Sequence, residues 1–559
     1  MSPDTSPKSV KEALDPLQKS LEDAASVSTV LWLSYLSVFF YIAVAVGGVT
    51  HSDLLLEKPL NLPVVNVAVP LVAFFVLAPI LFIIIHSYTL VHFVILATKV
   101  GRFNDELRAQ LPDAPDIREE FRRQLPSNIF AQFLAGPRDI RQGGLGWILL
   151  IVAWITLVIA PVLLLILIQS QFLPYHLPSV TWLHRCLIVA DIILLWLLWP
   201  AVLQSRSKIT WPFLRWPLVQ KLWGFVFAGV SFVSIGLAFA VATYPGETVN
   251  DWIYTYSEDI RAVGALHDVH NFLYEGALND FHPRRDSLFS NTLILRGFSV
   301  PEAMKIDDRK LDTLPYILSL NGRNLNGIIF SHADLRKVDL TGAQLKNASL
   351  DYVDLEEAQL GQANLEKAYL VHARLQGAQL RGSCLNQAQL AFADFRGSQL
   401  KGAHIRDLQP PPFDTKEDPR PLFKGAQLTD AEVDPSLQNP LRQNGPCLLS
   451  PELVEGTSSS TGGMKDSASE LHQLLCDSPE ALHIAHGLIK NGCLRETATL
   501  ESMDYTIHNP QCRAFAVLTE AEKNNLSAQA KAQAEEPELT EDEGAPRCEA
   551  NEESSAGLH

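Results

Sequence analysis

The chain has 559 residues, of which 47% are apolar and only 19% are charged, and its formal net charge is −17. This charged fraction is below the roughly 25% of soluble domains, which indicates that some segments live in lipid. An acidic balance argues against a nucleic-acid partner, whose binding protein should be basic. Seven cysteines are too few for a disulfide-rich secreted scaffold.

Stretches without charged residues mark a membrane domain over residues 28–245. No Asp, Glu, Lys or Arg occurs between Asp23 and Asp53, and three later gaps are of similar length. Each gap exceeds the roughly 20 apolar residues that cross a bilayer as a helix. We predict five transmembrane helices, at about 28–50, 67–97, 146–170, 180–203 and 222–244.

The distribution of Lys and Arg between the connections predicts the orientation of these spans. Alternate sides carry 15 and 2 basic residues, and the richer side includes the tail at 1–27. Basic residues favour the cytoplasm, so the N-terminus is predicted to be cytoplasmic. With five spans, everything after residue 245 then lies across the membrane, which in a Gram-negative bacterium means an inner-membrane protein with periplasmic C-terminal domains. The tail has three lysines against five acids, which favours an uncleaved first helix over a signal peptide.

Ionisable residues inside the spans are candidate functional residues, because burying them in lipid is costly. The candidates are His86, His92 and Asp191, while His184 and Arg185, near one end of the fourth span, are expected to reach the interface. His86 and His92 lie about 120° apart around one helix and do not share a metal ion easily. A pairing of Asp191 with His86 across helices is one interpretation, in which the polar groups simply satisfy each other. A proton or ion pathway is the alternative.

Between residues 320 and 405, every fifth residue is apolar. On an α-helix a step of five residues turns about 500°, and on a flat strand it alternates faces, so neither element keeps these side chains together. A coil that turns a corner every five residues keeps all of them inside, and stacked coils bury a continuous core. The predicted core comprises Leu335, Leu340, Leu345, Leu350, Leu355, Leu360, Leu365, Leu370, Leu375, Leu380, Leu385, Leu390, Phe395 and Leu400.

Stretches such as Ala333-Asp334-Leu335 and Ala363-Asn364-Leu365 resemble the pentapeptide-repeat proteins, whose pattern is A-(D/N)-L-x-x. The resemblance implies a right-handed quadrilateral β-helix with four pentads per coil, over residues 316–435. A Pro-rich insertion is expected at 408–421, and a connector and N-terminal cap at 246–315.

The resemblance also suggests DNA mimicry by an acidic solenoid. Residues 316–407 argue against it, because they carry ten basic and nine acidic residues, a net charge of +1. A solenoid that presents a lateral face to a protein partner is the preferred interpretation.

The region after the repeats is divided by composition into a linker at 436–470, a small helical module at 471–525 and a disordered acidic tail at 526–559. The module and its border contain Cys476, Cys493 and Cys512, two of which are expected to pair in an oxidising compartment. His483 and His486 are expected to be exposed polar residues.

The predicted fold class is therefore a membrane α-helical bundle, followed by an all-β quadrilateral β-helix and a small helical C-terminal module. No phosphate loop, metalloprotease motif or nucleophile elbow is present, so neither an enzyme nor a cofactor nor a metal site is predicted. We expect a membrane-anchored scaffold whose partners are the lipid bilayer and an unidentified protein, with the oligomeric state left open. The alternative is a transport or signalling protein that uses the polar residues of its spans.

Overall fold

The computed structural model describes residues 7–62, 67–112, 114–125, 129–139, 144–204, 218–242, 292–311, 313–408, 421–423, 426–428, 431–433, 474–476, 481–490, 497–510, 512 and 515–535. The chain forms two compact units, Met1–Glu275 with Ser287–Asn291, and Gly276–Asp286 with Thr292–His559.

The first unit is built mainly from long apolar helices. Its helices are α1 (Pro7–Gly47), α2 (His51–Leu56), α3 (Leu71–Gln110), α4 (Pro115–Arg123), α5 (Ile129–Ala135), α6 (Gly144–Trp154), α7 (Ala160–Phe172), α8 (Pro178–Gln204) and α9 (Leu218–Ala242). A π-helical turn, Ile155–Ile159, joins α6 to α7. Within this unit α3 packs against both α1 and α8, and α7 packs against α8.

In the described part of the chain, four helical stretches are long and apolar enough to cross a membrane. They are Leu14–Gly47, Leu71–Gln110, Gly144–Tyr175 and Pro178–Leu203. The fifth predicted span, at 222–244, overlaps α9, which ends at Ala242 and whose described apolar stretch is the shorter Phe227–Gly236. Membrane insertion is thus consistent with the structure, while a fifth span and the orientation that depends on it stay predictions.

Three predicted helix boundaries differ from those of the structure. The first helix begins at Pro7 rather than at 28, because the polar residues before the apolar run continue the same helix. The second begins at Leu71 rather than at 67, because strand β2 (Val67–Val69) pairs antiparallel with β1 (Leu60–Leu62) just before it. That helix also continues past 97 to Gln110.

The second unit contains a β-helix solenoid. Its backbone pairs in parallel with the chain 20 residues further on, as in Gln344 with Asn364 and Asn364 with Cys384, so one coil holds four pentads. The longer paired segments are β3 (Leu318–Ser319), β4 (Val338–Asp339), β5 (His404–Ile405) and β6 (Glu432–Val433). All fourteen predicted core residues, Leu335 to Leu400, are at most 2% exposed.

Each corner of the β-helix contains a residue with left-handed backbone conformation, two positions after the core residue. Glycine occupies this position at 377 and 397, but Lys337 and Glu357 adopt it with φ of 55° and 56°. Side chains are therefore tolerated at these corners, although glycine also occupies the same position on other coils, as at 322 and 402.

One coil is longer than the others. Asp394 pairs with Leu422 and Gln399 with Gln427, a separation of 28 residues instead of 20. The additional eight residues (28 minus 20) lie in the segment where the Pro-rich insertion was predicted, most of which is outside the described residues. Before the first coil, short helices α10 (Val300–Ala303) and α11 (Asp308–Leu311) interrupt the pairing.

Three helices near the C-terminus pack together. They are α12 (Ala481–Lys490), α13 (Thr497–His508) and α14 (Glu520–Glu535), and we call them, with residues 474–476, 512 and 515–518, the C-terminal helices. Their shared core includes Leu475, Ile484, Leu488, Met503 and Phe515. The predicted boundary at 526 between module and disordered tail is wrong, since α14 continues to Glu535 and buries Leu526 and Ala530 in that core.

Candidate functional site

A polar pair lies in the interior of the first unit. Asp191 on α8 and His86 on α3 are both fully buried, and Asp191 Oδ1 lies 2.7 Å from His86 Nδ1. The other imidazole nitrogen, Nε2, lies 3.1 Å from the carbonyl oxygen of Leu157. A carbonyl only accepts, so Nε2 donates, and one further proton lies between Nδ1 and the carboxyl group. The pair therefore has no net charge whichever partner holds that proton.

Backbone carbonyls of the π-helical turn accept hydrogen bonds from His86 and from the neighbouring Tyr35. Tyr35 on α1 stacks on the His86 ring at 5.5 Å between centroids, and its hydroxyl donates to the carbonyl of Thr156 over 3.0 Å. Thr156 and Leu157 both lie in the π turn, a feature that occurs frequently at functional sites. Four apolar helices thus meet at one polar cluster, in which Asp191 Oδ2 has no hydrogen-bond partner among the described residues.

The remaining polar residues of the spans lie apart from this pair. His92 is half-buried and packs edge-on against Tyr88 at 4.6 Å between ring centroids. His184 is buried and its Nε2 is 2.8 Å from the carbonyl of Phe75, while the guanidinium of Arg185 lies 4.3 Å from the Trp182 ring centroid. The structure therefore brings two of the three predicted residues together, and leaves His92 elsewhere.

One corner of the β-helix carries a stack of aromatic rings on consecutive coils. His332, Tyr352, His372 and Phe392 stack with centroids 4.6–4.8 Å apart. The ring faces are occupied by their neighbours in the stack, so mainly the ring edges remain for other contacts. This stack ties adjacent coils together.

The neighbouring corner holds buried charges that contact α12. Glu356 and Glu357 are each 2% exposed. His483 Nε2 lies 2.8 Å from Glu356, His483 Nδ1 lies 3.0 Å from Glu357, and His486 Nδ1 lies 2.7 Å from Glu357. The expectation that these histidines are exposed is therefore wrong, because the β-helix covers them.

Cations from the β-helix complete this cluster. The ammonium group of Lys337 lies 3.4 Å from the Glu357 carboxylate. It also donates a hydrogen bond to the carbonyl of Leu311 over 2.9 Å, which links helix α11 to the same corner. Arg374 pairs with Glu356 and with Asp354. In the described residues, no group of three or more His, Cys, Asp and Glu is arranged to hold a metal ion.

The acidic partners change the ionisation of His483. Burial acts to lower its pKa, but the hydrogen bonds and negative charges of Glu356 and Glu357 outweigh burial and raise the pKa to about 10. Burial, together with the nearby charge of Glu356, raises the pKa of Asp354 to about 6. His483 is therefore protonated at neutral pH and forms charged hydrogen bonds with both glutamates.

A disulfide bond joins Cys476 to Cys512 within the C-terminal helices. Cys384 on the β-helix is also disulfide-bonded, a feature that the sequence did not predict. The third predicted cysteine, Cys493, lies outside the described residues. Cys186 on α8 is a free thiol.

We expect the double change Cys476→Ser and Cys512→Ser to lower the stability of the C-terminal helices by about 3–4 kcal/mol, because the bridge closes a loop of 36 residues in the unfolded chain. Hydrogen exchange of the α13 amides in the full chain measures this loss. Cys186→Ser serves as the control and should change nothing. Unaltered α13 protection in the double variant would contradict the stabilising role.

The comparison with protein families bears on the β-helix. The model described as pentapeptide repeats matches residues 319–351 and 348–387, with eight copies of the repeat. This segment of the chain consists of pentapeptide repeats. The family resemblance predicted from the Ala-Asp-Leu pattern is thus confirmed for a segment of the chain.

Solved structures of pentapeptide-repeat proteins are similar to this segment. Rfr23 from the cyanobacterium Cyanothece is 23% identical, with 22% of this chain and 88% of that chain covered and a TM-score of 0.16. HetL from Nostoc, involved in heterocyst differentiation regulation, is 23% identical, with 24% and 57% covered and a TM-score of 0.12. A protein from the Arabidopsis thaliana thylakoid lumen is 20% identical, with 23% and 76% covered and a TM-score of 0.11. No curated protein matches the chain.

Proposed function

We propose that the chain is a membrane-anchored pentapeptide-repeat protein that acts as a protein-binding scaffold without catalysis. The helices of the first unit hold it in the bilayer, with the N-terminus in the cytoplasm of a bacterium and the β-helix and C-terminal helices in the periplasm. The β-helix is taken to be right-handed and four-sided, and the C-terminal helices form a module of their own.

The observation that carries this proposal is that each pentad has one buried core position and other positions that face outward. The core positions are buried without exception between Leu335 and Leu400, so they hold the coils together and contact no partner. The outward positions of one face recur every 20 residues and form a straight row, for example Gln359, Gln379 and Gln399. A regular surface of this kind suits recognition of another protein, as in other repeat solenoids.

Photo-crosslinking resolved by face tests the proposal. A photoreactive residue is placed at Gln359, Gln379 or Gln399 on one face, and at Gln344 or Asn364 on another. A scaffold that uses a lateral face gives the same crosslinked protein at every position of one row and at no position of the other. Crosslinks to lipid alone, or a chain that stays uncrosslinked in both rows, would contradict protein binding.

Transport or signalling through the spans is a second candidate, favoured by the buried contact between His86 and Asp191. The pair lies among four helices beside the π-helical turn. Asp191→Asn keeps a hydrogen-bonding side chain of the same shape but removes the titrating group. A pathway should be abolished by this change, whereas a scaffold should keep its crosslinks.

A further inference from the structure

The contact between α12 and the β-helix is unusually close. Lys337, Glu357, Gly377 and Gly397 occupy equivalent positions on consecutive coils, and we call them the docking corner. A Cβ atom added to Gly487 of α12 would lie 2.3 Å from the Gly397 carbonyl oxygen and 2.5 Å from Gly377 Cα. Backbone therefore lies directly against backbone at this point.

Backbone conformation alone does not require glycine in the docking corner. Lys337 and Glu357 adopt the same left-handed conformation with full side chains. A Cβ on Gly377 would lie 2.5 Å from the carbonyl oxygen of His483, and one on Gly397 would lie 2.9 Å from that of Ile484. Glycine is thus required at these two coils because α12 occupies the space of a side chain.

The sequence of α12 matches this surface in turn. Gly487 lies in the middle of a helix, where glycine costs about 1 kcal/mol relative to alanine, so a packing reason is needed. His483 and His486, four residues and one residue earlier, reach Glu356 and Glu357 on the preceding coil. A glycine and two imidazole rings are therefore placed opposite two glycines and an acidic pair.

We propose that the docking corner is a helix-binding site and that α12 is its resident, releasable ligand, which carries the C-terminal helices onto the β-helix as a latch. If the chain is a protein-binding scaffold, as proposed above, a helix of a partner protein binds the docking corner only after α12 has left it. This consequence rests on the proposed function. The site fits a partner helix that presents glycine, with an imidazole or ammonium group four residues earlier.

The separate core of the C-terminal helices supports release as a unit. Ala485, Leu488 and Ile489 of α12 pack in one core with Met503 and Phe515. The Cys476–Cys512 bridge stabilises the same core. Undocking of α12 thus does not require this core to unfold.

The charges that face His483 determine how docking depends on pH. They are Glu356 and Glu357, with Lys337 and Arg374 behind them, and His486 on the same helix. Because docking raises the pKa of His483 from 6.5 to about 10, the protonated ring stabilises the docked state fully below pH 6.5. This contribution is lost as the pH rises from 6.5 through 10. One proton bound on docking corresponds to about a tenfold fall in the docking constant per pH unit in that window.

Histidine modification of the full chain tests the latch. Diethyl pyrocarbonate acylates accessible neutral imidazoles, and mass spectrometry reads the rate at each histidine. In the wild type at pH 7, His483 and His486 should react at least about tenfold more slowly than His508 on α13, because docking covers them. From pH 7 to 9 the ratio of the His483 rate to the His508 rate should rise.

Gly487→Ala is the decisive variant, because alanine favours the helix itself and opposes only the close contact. The His483 and His486 rates should rise about tenfold or more at pH 7, while His508 and His372 of the β-helix keep their wild-type rates. Gly229→Ala on α9, where an added Cβ meets nothing within 4 Å, is the matched control and should change none of the rates.

Two results would overturn the latch. In one, His483 and His486 stay protected in Gly487→Ala, so that the corner does not depend on the glycine contact. In the other, His508 or His372 becomes reactive together with them, so that the helices and the β-helix unfold as one body. Neither readout needs a protein partner, so failure of the latch is distinguishable from failure of the scaffold proposal.

Discussion

Replacement of Leu365 by alanine is expected to lower the free energy of unfolding of the β-helix by about 3–5 kcal/mol. Leu365 is fully buried, and the coils above and below it are rigidly paired, as by the hydrogen bond from the Leu345 amide to the Asn364 carbonyl. The change removes apolar contacts and leaves a cavity that paired coils cannot close. Native-state hydrogen exchange of the amides between 340 and 390 measures the loss.

Leu422→Ala is the matched control for this prediction. Leu422 belongs to the same β-helix, but 47% of it is exposed, and its backbone amide still pairs with the carbonyl of Ala393. The same chemical change there should cost less than about 1 kcal/mol. Equal losses at both positions would mean that the five-residue row is not the core.

Replacement of Asp191 by alanine is expected to destabilise the membrane half by about 3–5 kcal/mol. Removing one partner of a buried pair leaves the other without compensation, here His86 Nδ1 in a fully buried environment. All ten tryptophans lie between residues 32 and 252, so tryptophan fluorescence during thermal unfolding in detergent reports selectively on this half.

Two further variants show whether the pair itself is responsible. Asp191→Asn keeps a hydrogen-bonding group against His86 and should lose less stability than alanine. Leucine at both 86 and 191 replaces the pair by apolar contacts and should recover most of the loss, because neither partner is left alone. If the double variant loses the sum of the single losses, the two side chains do not interact.

Local sequence patterns predicted the larger part of the architecture. Charge-free stretches predicted most of the long apolar helices, because a segment that crosses a bilayer excludes charged groups over a fixed length. The period of five located the β-helix, because only a coil with a corner in each pentad buries every fifth residue. The beginning of α1 at Pro7 was missed, since its polar first turns resemble a tail until they pack as helix.

The candidate sites depend on contacts between distant residues, and single-sequence patterns predict these poorly. His86 and Asp191 are 105 residues apart, so their pairing was only one of several interpretations. His483 and Glu357 are 126 residues apart, and His483 was expected to be exposed. One local signal does indicate the contact, namely Gly487 inside a helix, where glycine points to a close packing partner.

We propose that the helices of the first unit anchor the chain in the membrane, with the β-helix and C-terminal helices on the side opposite the cytoplasm. One cysteine introduced at Val517, which is 85% exposed, and one introduced separately at Ile117 on α4, which is 46% exposed, test it in a Cys186→Ser background that keeps the native disulfides. A membrane-impermeant maleimide is applied to cells with a permeabilised outer membrane, and labelling at each position is read by mass spectrometry. The account predicts labelling of Val517→Cys before lysis and of Ile117→Cys only after it. Protection of both until lysis would place the β-helix in the cytoplasm and contradict the account.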